Sequence, residues 1–280
     1  MIGQSSIIRK YINGFDSLPS SMILLGPQGS GKRTLLNTLS HMMNVEVIDL
    51  PKTITDDIKS ELIVRPKRAI ICVDLSSNTQ HKQILSIQNS LLKFIEDIPI
   101  NYKVFILADD ESYLLNTILN RCYVQSLELY TNRELRLIAE EYGMDNVIQY
   151  SDKEFEYMEY PKDVLLNIPV DTIHSMESLV STIFDSISRA NVSNTLSIIR
   201  RFKFTDSSST CSEQDTSLWD INIFLNILNK RLVDILINNY DKRYFDMFSL
   251  LSKLKFDMNK ATMNKVHLFE RFLLDVKYIL

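Results

Sequence analysis

A chain of 280 residues is longer than one typical domain and has material for two or three cores. Its 45% hydrophobic and 24% charged residues exclude global disorder, and a formal charge of −4 excludes a polycation that grips phosphate backbones by bulk charge. Cys72, Cys122 and Cys211 have no C-x-x-C spacing, so neither a zinc site nor a disulfide framework is expected, and a reducing compartment fits. The opening MIGQSSIIRKYING lacks the long apolar core of a signal peptide, and no apolar run reaches the roughly 18 residues that span a bilayer. A cytoplasmic protein with no membrane partner is the expectation.

Between about residues 22 and 128, the short apolar runs MILL, VEVIDL, AIICVD, KVFILA and CYVQSLEL alternate with longer helical patterns. That alternation predicts an α/β domain, a parallel sheet with helices on both faces. TNRELRLIAEEYG follows, with Thr131 and Glu134 spaced as a capping box and Gly143 as a stop signal, and it opens a helical second part. From about 173 to 280, MESLVSTIFDSISRA, INIFLNILNKRLVDILINNY and NKVHLFERFLLDVKYIL carry helical periodicity, which predicts an all-helical third domain. TDSSSTCSEQDTS, residues 205 to 217, is polar and aperiodic and reads as a surface loop.

The first strand runs into GPQGSGKRT. Gly26, Gly29, Gly31 and Lys32 fit G-x-x-x-x-G-K between a strand and a helix, the context of a phosphate-binding loop. Small residues let the backbone N–H groups of Gly26, Gln28, Gly29, Ser30, Gly31, Lys32, Arg33 and Thr34 approach a phosphate chain, and Lys32 reaches its terminal groups. ATP is the expected ligand. A hydroxyl after the lysine ordinarily ligates Mg²⁺; here Arg33 stands there and Thr34 comes one position later, about 100° around the helix. Asp74, closing the AIICVD strand, is the second candidate for the Mg²⁺ shell and for a catalytic carboxylate. Leu75 stands where a glutamate would orient water. The four histidines, His41, His81, His174 and His267, have no metal-ligand spacing. The aromatic FEYMEY, 155 to 160, has the spacing of a packed helical core.

Taken in order, several stretches resemble the clamp-loader branch of the AAA+ ATPases, most closely the delta-prime subunit of the bacterial DNA polymerase III clamp loader. MIGQ resembles the segment that packs around the adenine; SLPSSMILLGPQGSGKRTLL, the Leu-Pro turn, first strand and phosphate loop; IQNSLLKFIEDIP and VFILADDESYLLNTILNRC, the helix, strand and Ser-Arg-Cys segment that follow. The resemblance covers about residues 1 to 140. It implies an AAA+ nucleotide-binding domain (1–128), a helical lid (129–172) and a helical collar that assembles a ring (173–280). It also implies that Arg121, matching the arginine of Ser-Arg-Cys, acts in trans on a neighbour's nucleotide, and that the partners are other clamp-loader subunits, a sliding clamp and primer–template DNA.

Departures from the family pattern fall on the chain's own site. Besides Arg33 and Leu75, Asp109 occupies the first sensor position, usually Thr or Asn, where its charge opposes a γ-phosphate. Asn120 replaces the serine before Arg121, and Lys162 is the basic residue of EYPKDVLLN, where a second-sensor arginine is usual. The expected function is a stator that binds ATP with weak or no hydrolysis and serves a neighbouring ATPase. The alternatives are an active clamp-loader ATPase using Lys32, Thr34 and Asp74, and an AAA+ helicase loader or other replication or recombination motor.

Overall fold

The structure is a computed structural model and describes residues 1–50, 67–76, 81–188, 203–205, 218–238, 241–258 and 265–277. The Ser/Thr-rich stretch from 206 to 217, with Cys211, lies outside the described residues. The chain divides into two compact units, Met1–Ile138 with Tyr160–Lys162, and Ala139–Glu159 with Asp163–Leu280.

In chain order the first unit contains α1 (Ser5–Lys10), β1 (Ser21–Leu25), α2 (Lys32–Met43), β2 (Glu46–Asp49), β3 (Ala69–Asp74), α3 (His81–Glu96), β4 (Tyr102–Ala108), α4 (Asn116–Leu119) and β5 (Tyr123–Ser126). The strands form one parallel sheet in the order β2-β3-β4-β1-β5. Each expected strand is present, the last ending at Ser126 rather than running through Leu129.

Parallel strands joined by helical crossovers are covered on both faces, and the sequence meets this with nearly unbroken apolar runs. Successive residues point to opposite sides. Ile71, Val73, Val104 and Ile106 face α3 through Ile87, Leu91 and Phe94. Ile70, Cys72, Phe105 and Leu107 face α1 and α2 through Ile7, Leu35, Leu36 and Leu39. Two apolar layers therefore pack on the two faces of the sheet, whose strands carry loops at their C-terminal ends.

α5 (Asn132–Glu141) carries the expected capping box: Thr131 and Glu134 exchange hydrogen bonds of 2.8 Å, from the Thr131 N–H to the carboxylate, and 3.3 Å, from the Glu134 N–H to the Thr131 hydroxyl. Gly143, at φ 64°, follows as the stop.

In the second unit come α6 (Asp145–Ile148), α7 (Asp152–Phe155), α8 (Pro161–Leu165, its first two residues grouped with the first unit), α9 (Val170–Ser188), β6 (Lys203–Thr205), β7 (Leu218–Asp220), α10 (Ile221–Asn238), α11 (Lys242–Met258) and α12 (Lys265–Lys277). β6 and β7 pair in parallel, a departure from the all-helical expectation. Three residues are too few to display a period of two, so the pair left no trace in the pattern. The fold class is otherwise as expected: an α/β domain with a parallel sheet covered by helices, followed by helical segments. Among the described residues no helix is long and apolar enough to cross a membrane.

Phe155, Tyr157 and Met158 are buried, as their spacing suggested. Polar side chains fix the same segment: Tyr157 donates to Glu177, Asn226 donates to the Tyr157 carbonyl at 2.9 Å, and Lys255 donates to Asn226 Oδ1 at 2.7 Å. Glu154 is nearly buried and caps α7 through Ser151 while meeting His174. Burial pushes its carboxyl up, but the hydrogen bonds from Ser151 and His174 outweigh burial and hold it below its ordinary 4.5. A depressed carboxylate supplies stability that is complete above the unfolded value and is lost as pH falls through the lower folded one. Glu154→Gln therefore flattens the acid limb of the melting curve below about pH 4.5; an unchanged acid limb would assign that loss to other carboxylates.

Candidate phosphate-loop site

The loop from Gly26 to Gly31 leaves the C-terminal end of β1, an inner strand between β4 and β5, and α2 begins at Lys32. Two of its glycines are required by conformation. Gly29 has φ +81° and Gly31 φ +92°, and a Cβ on Gly29 would lie 2.2 Å from Lys162 Cβ. Lys162 also donates its backbone N–H to the Gly29 carbonyl at 3.3 Å. The basic residue of EYPKDVLLN thus rests on the phosphate loop itself. Ser30 is fully buried and its hydroxyl has no hydrogen-bond partner. An unmet buried hydroxyl costs about 1–3 kcal/mol, which a ligand that satisfied it would recover.

The N-terminal segment closes one side. Gln4 Nε2 donates to the Glu128 carbonyl at 2.7 Å, and the Glu128 N–H donates back to Gln4 Oε1 at 2.9 Å. Tyr130 donates to the Ser30 carbonyl at 3.1 Å, and Cβ atoms built on Gly3 and Gly31 would meet its side chain at 2.5 and 2.8 Å. Burial pushes the Tyr130 phenol up, keeping it a donor. MIGQ, the phosphate loop and Tyr130 therefore form one wall. The participation of Tyr130 was not anticipated; its isolated position just before the capping box gave only a weak signal.

Lys32 is where the sequence placed it, but it is engaged. Its Nζ donates to the carbonyls of Gly26 at 2.5 Å and Pro27 at 3.0 Å and to Asp109 Oδ1 at 2.7 Å, the two side chains being 8% and 11% exposed. Alternation along β4 explains the meeting: Phe105 and Leu107 point to the α2 side, and Asp109 continues that row just past the strand end.

Arg33 engages the ends of the neighbouring strands. Its guanidinium donates to Asp49, at the end of β2, and to Cys72 Sγ at 3.0 Å on β3. The Asp49 hydrogen bond raises Arg33 and lowers Asp49, and Asp74 adds a further favourable charge effect on Arg33. Burial pushes the Cys72 thiol up to about 12, so it remains a thiol. Thr34 is exposed, and its carbonyl accepts from Thr38 at 2.8 Å. Asp74 Oδ1 accepts the Ser76 N–H at 3.0 Å, an ordinary turn hydrogen bond at a strand end. Leu75 is 2% exposed and packs into the α3 layer, away from Lys32.

The side chains here fit Mg²⁺ poorly: a guanidinium occupies the acidic neighbourhood of Asp49 and Asp74, and the side chain after Lys32 offers no oxygen. Histidines 174 and 267 are engaged with glutamates.

Arg121 is not brought to this site. The Ser21 hydroxyl donates to the Arg121 carbonyl at 2.8 Å, which places Arg121 at the N-terminal end of β1, one full strand or about 16 Å from the loop. Its half-exposed guanidinium pairs with Glu96 at 2.7 Å and donates to the Thr117 carbonyl at 3.1 Å.

No protein-family model matches the chain, and no curated protein matches it. Among solved structures, the chain is similar to the RuvB Holliday junction branch migration motor of Thermotoga maritima, with 15% identity, a TM-score of 0.45, and coverage of 84% of this chain and 76% of that one. A single-residue variant of that RuvB is similar with 14% identity, a TM-score of 0.45 and the same coverage.

Proposed function

We propose that this chain is a clamp-loader subunit of the delta-prime kind: a stator that joins an AAA+ ring through its C-terminal helices, binds nucleotide in the phosphate loop with weak or no hydrolysis, and offers Arg121 to a neighbouring ATPase. The carrying observation is the Lys32–Asp109 pair. An attacking water needs a positioning group and the transferring phosphoryl group needs an uncommitted cation. Lys32 is neutralised by Asp109, and position 75 is an apolar side chain turned into the core. A site without these groups binds more readily than it turns over.

Arg121 supports the second half of the reading. An arginine whose backbone lies about 16 Å from its own phosphate loop, with its guanidinium on Glu96 and Thr117, is poorly placed to serve that loop and is exposed toward solvent. Its tie to Glu96 is exposed on both sides, and exposed pairs contribute only about 0–1 kcal/mol, so a neighbour's phosphates compete well for it. Sliding clamp and primer–template DNA are the corresponding partners of the assembled ring.

Steady-state ATP hydrolysis by the full chain, with Mg²⁺ and with or without primed DNA, tests this. Background turnover in both conditions is the expected result. Rapid DNA-stimulated turnover by the wild-type chain would replace the stator with an active loader ATPase.

A further inference from the structure

We propose that the phosphate-loop pocket takes a nucleoside diphosphate free of metal in preference to a metal-bound triphosphate. This rests on the nucleotide-binding reading above and names the ligand of that same pocket.

Two separate features carry it. Asp109 lies 2.7 Å from Lys32 Nζ, the group that would meet the terminal phosphates. A γ-phosphate brought to Lys32 must displace that carboxylate or lie within a few ångströms of it. At 5 Å and an effective dielectric of 20, each pair of unit like charges repels by enough to change affinity by more than about 100-fold, and partial displacement of Asp109 leaves at least about tenfold. A diphosphate, held on the backbone N–H groups of the loop and at the buried, unpartnered Ser30 hydroxyl, brings one phosphate fewer toward that carboxylate.

Arg33 is the second feature. Where a hydroxyl would hold the metal, the chain instead places a cation that bridges the ends of β2 and β3 through Asp49 and Cys72 and lies in the field of Asp74. Mg²⁺ entering beside it would face a fixed positive charge and compete for the same carboxylates. Both features remove what a metal–triphosphate complex needs, one at its anionic end and one at its cation.

Calorimetric titration of the full chain with ADP and with ATP, each in EDTA and in Mg²⁺, reads the preference directly. The wild-type chain binds ADP at least about tenfold more tightly than ATP in EDTA, and Mg²⁺ changes either affinity by less than about threefold. Asp109→Asn keeps the side-chain shape, removes the charge and closes the gap; Asp109→Ser serves the same purpose if the amide variant melts early. ATP binding as tightly as ADP, a gap unchanged in both Asp109 variants, or an affinity that Mg²⁺ raises tenfold would each overturn the proposal while leaving nucleotide binding intact. Failure of every nucleotide to bind wild type and variants alike would instead overturn the nucleotide reading, and this proposal with it.

Discussion

On the proposed stator reading, Arg121→Ala is expected to lower the ATPase rate of the assembled ring by about 10³- to 10⁵-fold at the site that receives it, while this subunit folds as before. The size follows from what an arginine delivered in trans does, which is to stabilise charge on the phosphoryl group only as it transfers. The innocence of the change for folding follows from exposure, since the Arg121 and Glu96 side chains are 41% and 50% exposed. Such a pair contributes about 0–1 kcal/mol, within the scatter of most melting experiments. The measurement is single-turnover hydrolysis in the ring purified with its natural subunits. Arg121→Lys separates charge from shape: lysine keeps the former and loses the planar fork, so it restores little if the guanidinium makes paired hydrogen bonds to phosphate oxygens. Full activity in Arg121→Ala would remove the arginine from the neighbour's chemistry and leave it a surface residue.

Lys32→Ala destabilises the first unit by about 3–5 kcal/mol, an effect foreign to a lysine that waits for phosphate in solvent. The removed charge leaves Asp109, 11% exposed, without its ammonium partner. The paired replacement Lys32→Met with Asp109→Leu recovers most of the loss, because an apolar pair of similar volume escapes the desolvation cost of two charges. Hydrogen exchange at the amides of β1 and β4 follows this unit directly, and the coupling between the two positions is the quantity to read from the cycle. Equal stability of wild type and Lys32→Ala would mean that the pair is not formed in solution, and the stator reading would lose its main support.

Sequence alone revealed the layers better than the wiring. The sheet was legible because burial on both faces forces AIICVD and KVFILA to be apolar except at one end, and the phosphate loop because its glycines and lysine have fixed spacing. The capping box at Thr131 was legible because its two partners are three residues apart. None of this applies to Lys32 and Asp109, which meet across 77 positions. The sequence marked Asp109 as a misplaced charge; only the fold showed that the charge faces Lys32. Arg33 was readable as the loss of a hydroxyl, but its connection to Asp49 depends on the ends of β2 and β3 lying beside α2. Lys162 resting on Gly29 and Tyr130 against Gly31 are likewise products of chain crossing. β6 and β7 escaped because three residues carry no period.

The strand order has a temporal consequence. β1 lies between β4 and β5, so neither of its hydrogen-bonding edges has a partner until the chain has been made past residue 102 for one side and 123 for the other. At about 5–20 residues per second, the earliest strand waits on the order of 5–20 s in the emerging polypeptide. During that wait SMILL is an apolar segment with two open edges, the kind of surface that invites pairing with another chain. The phosphate loop, although encoded near the start, is therefore among the last parts of its domain to be built, and nascent chains stalled short of β5 are the species most exposed to aggregation and most in need of chaperone cover.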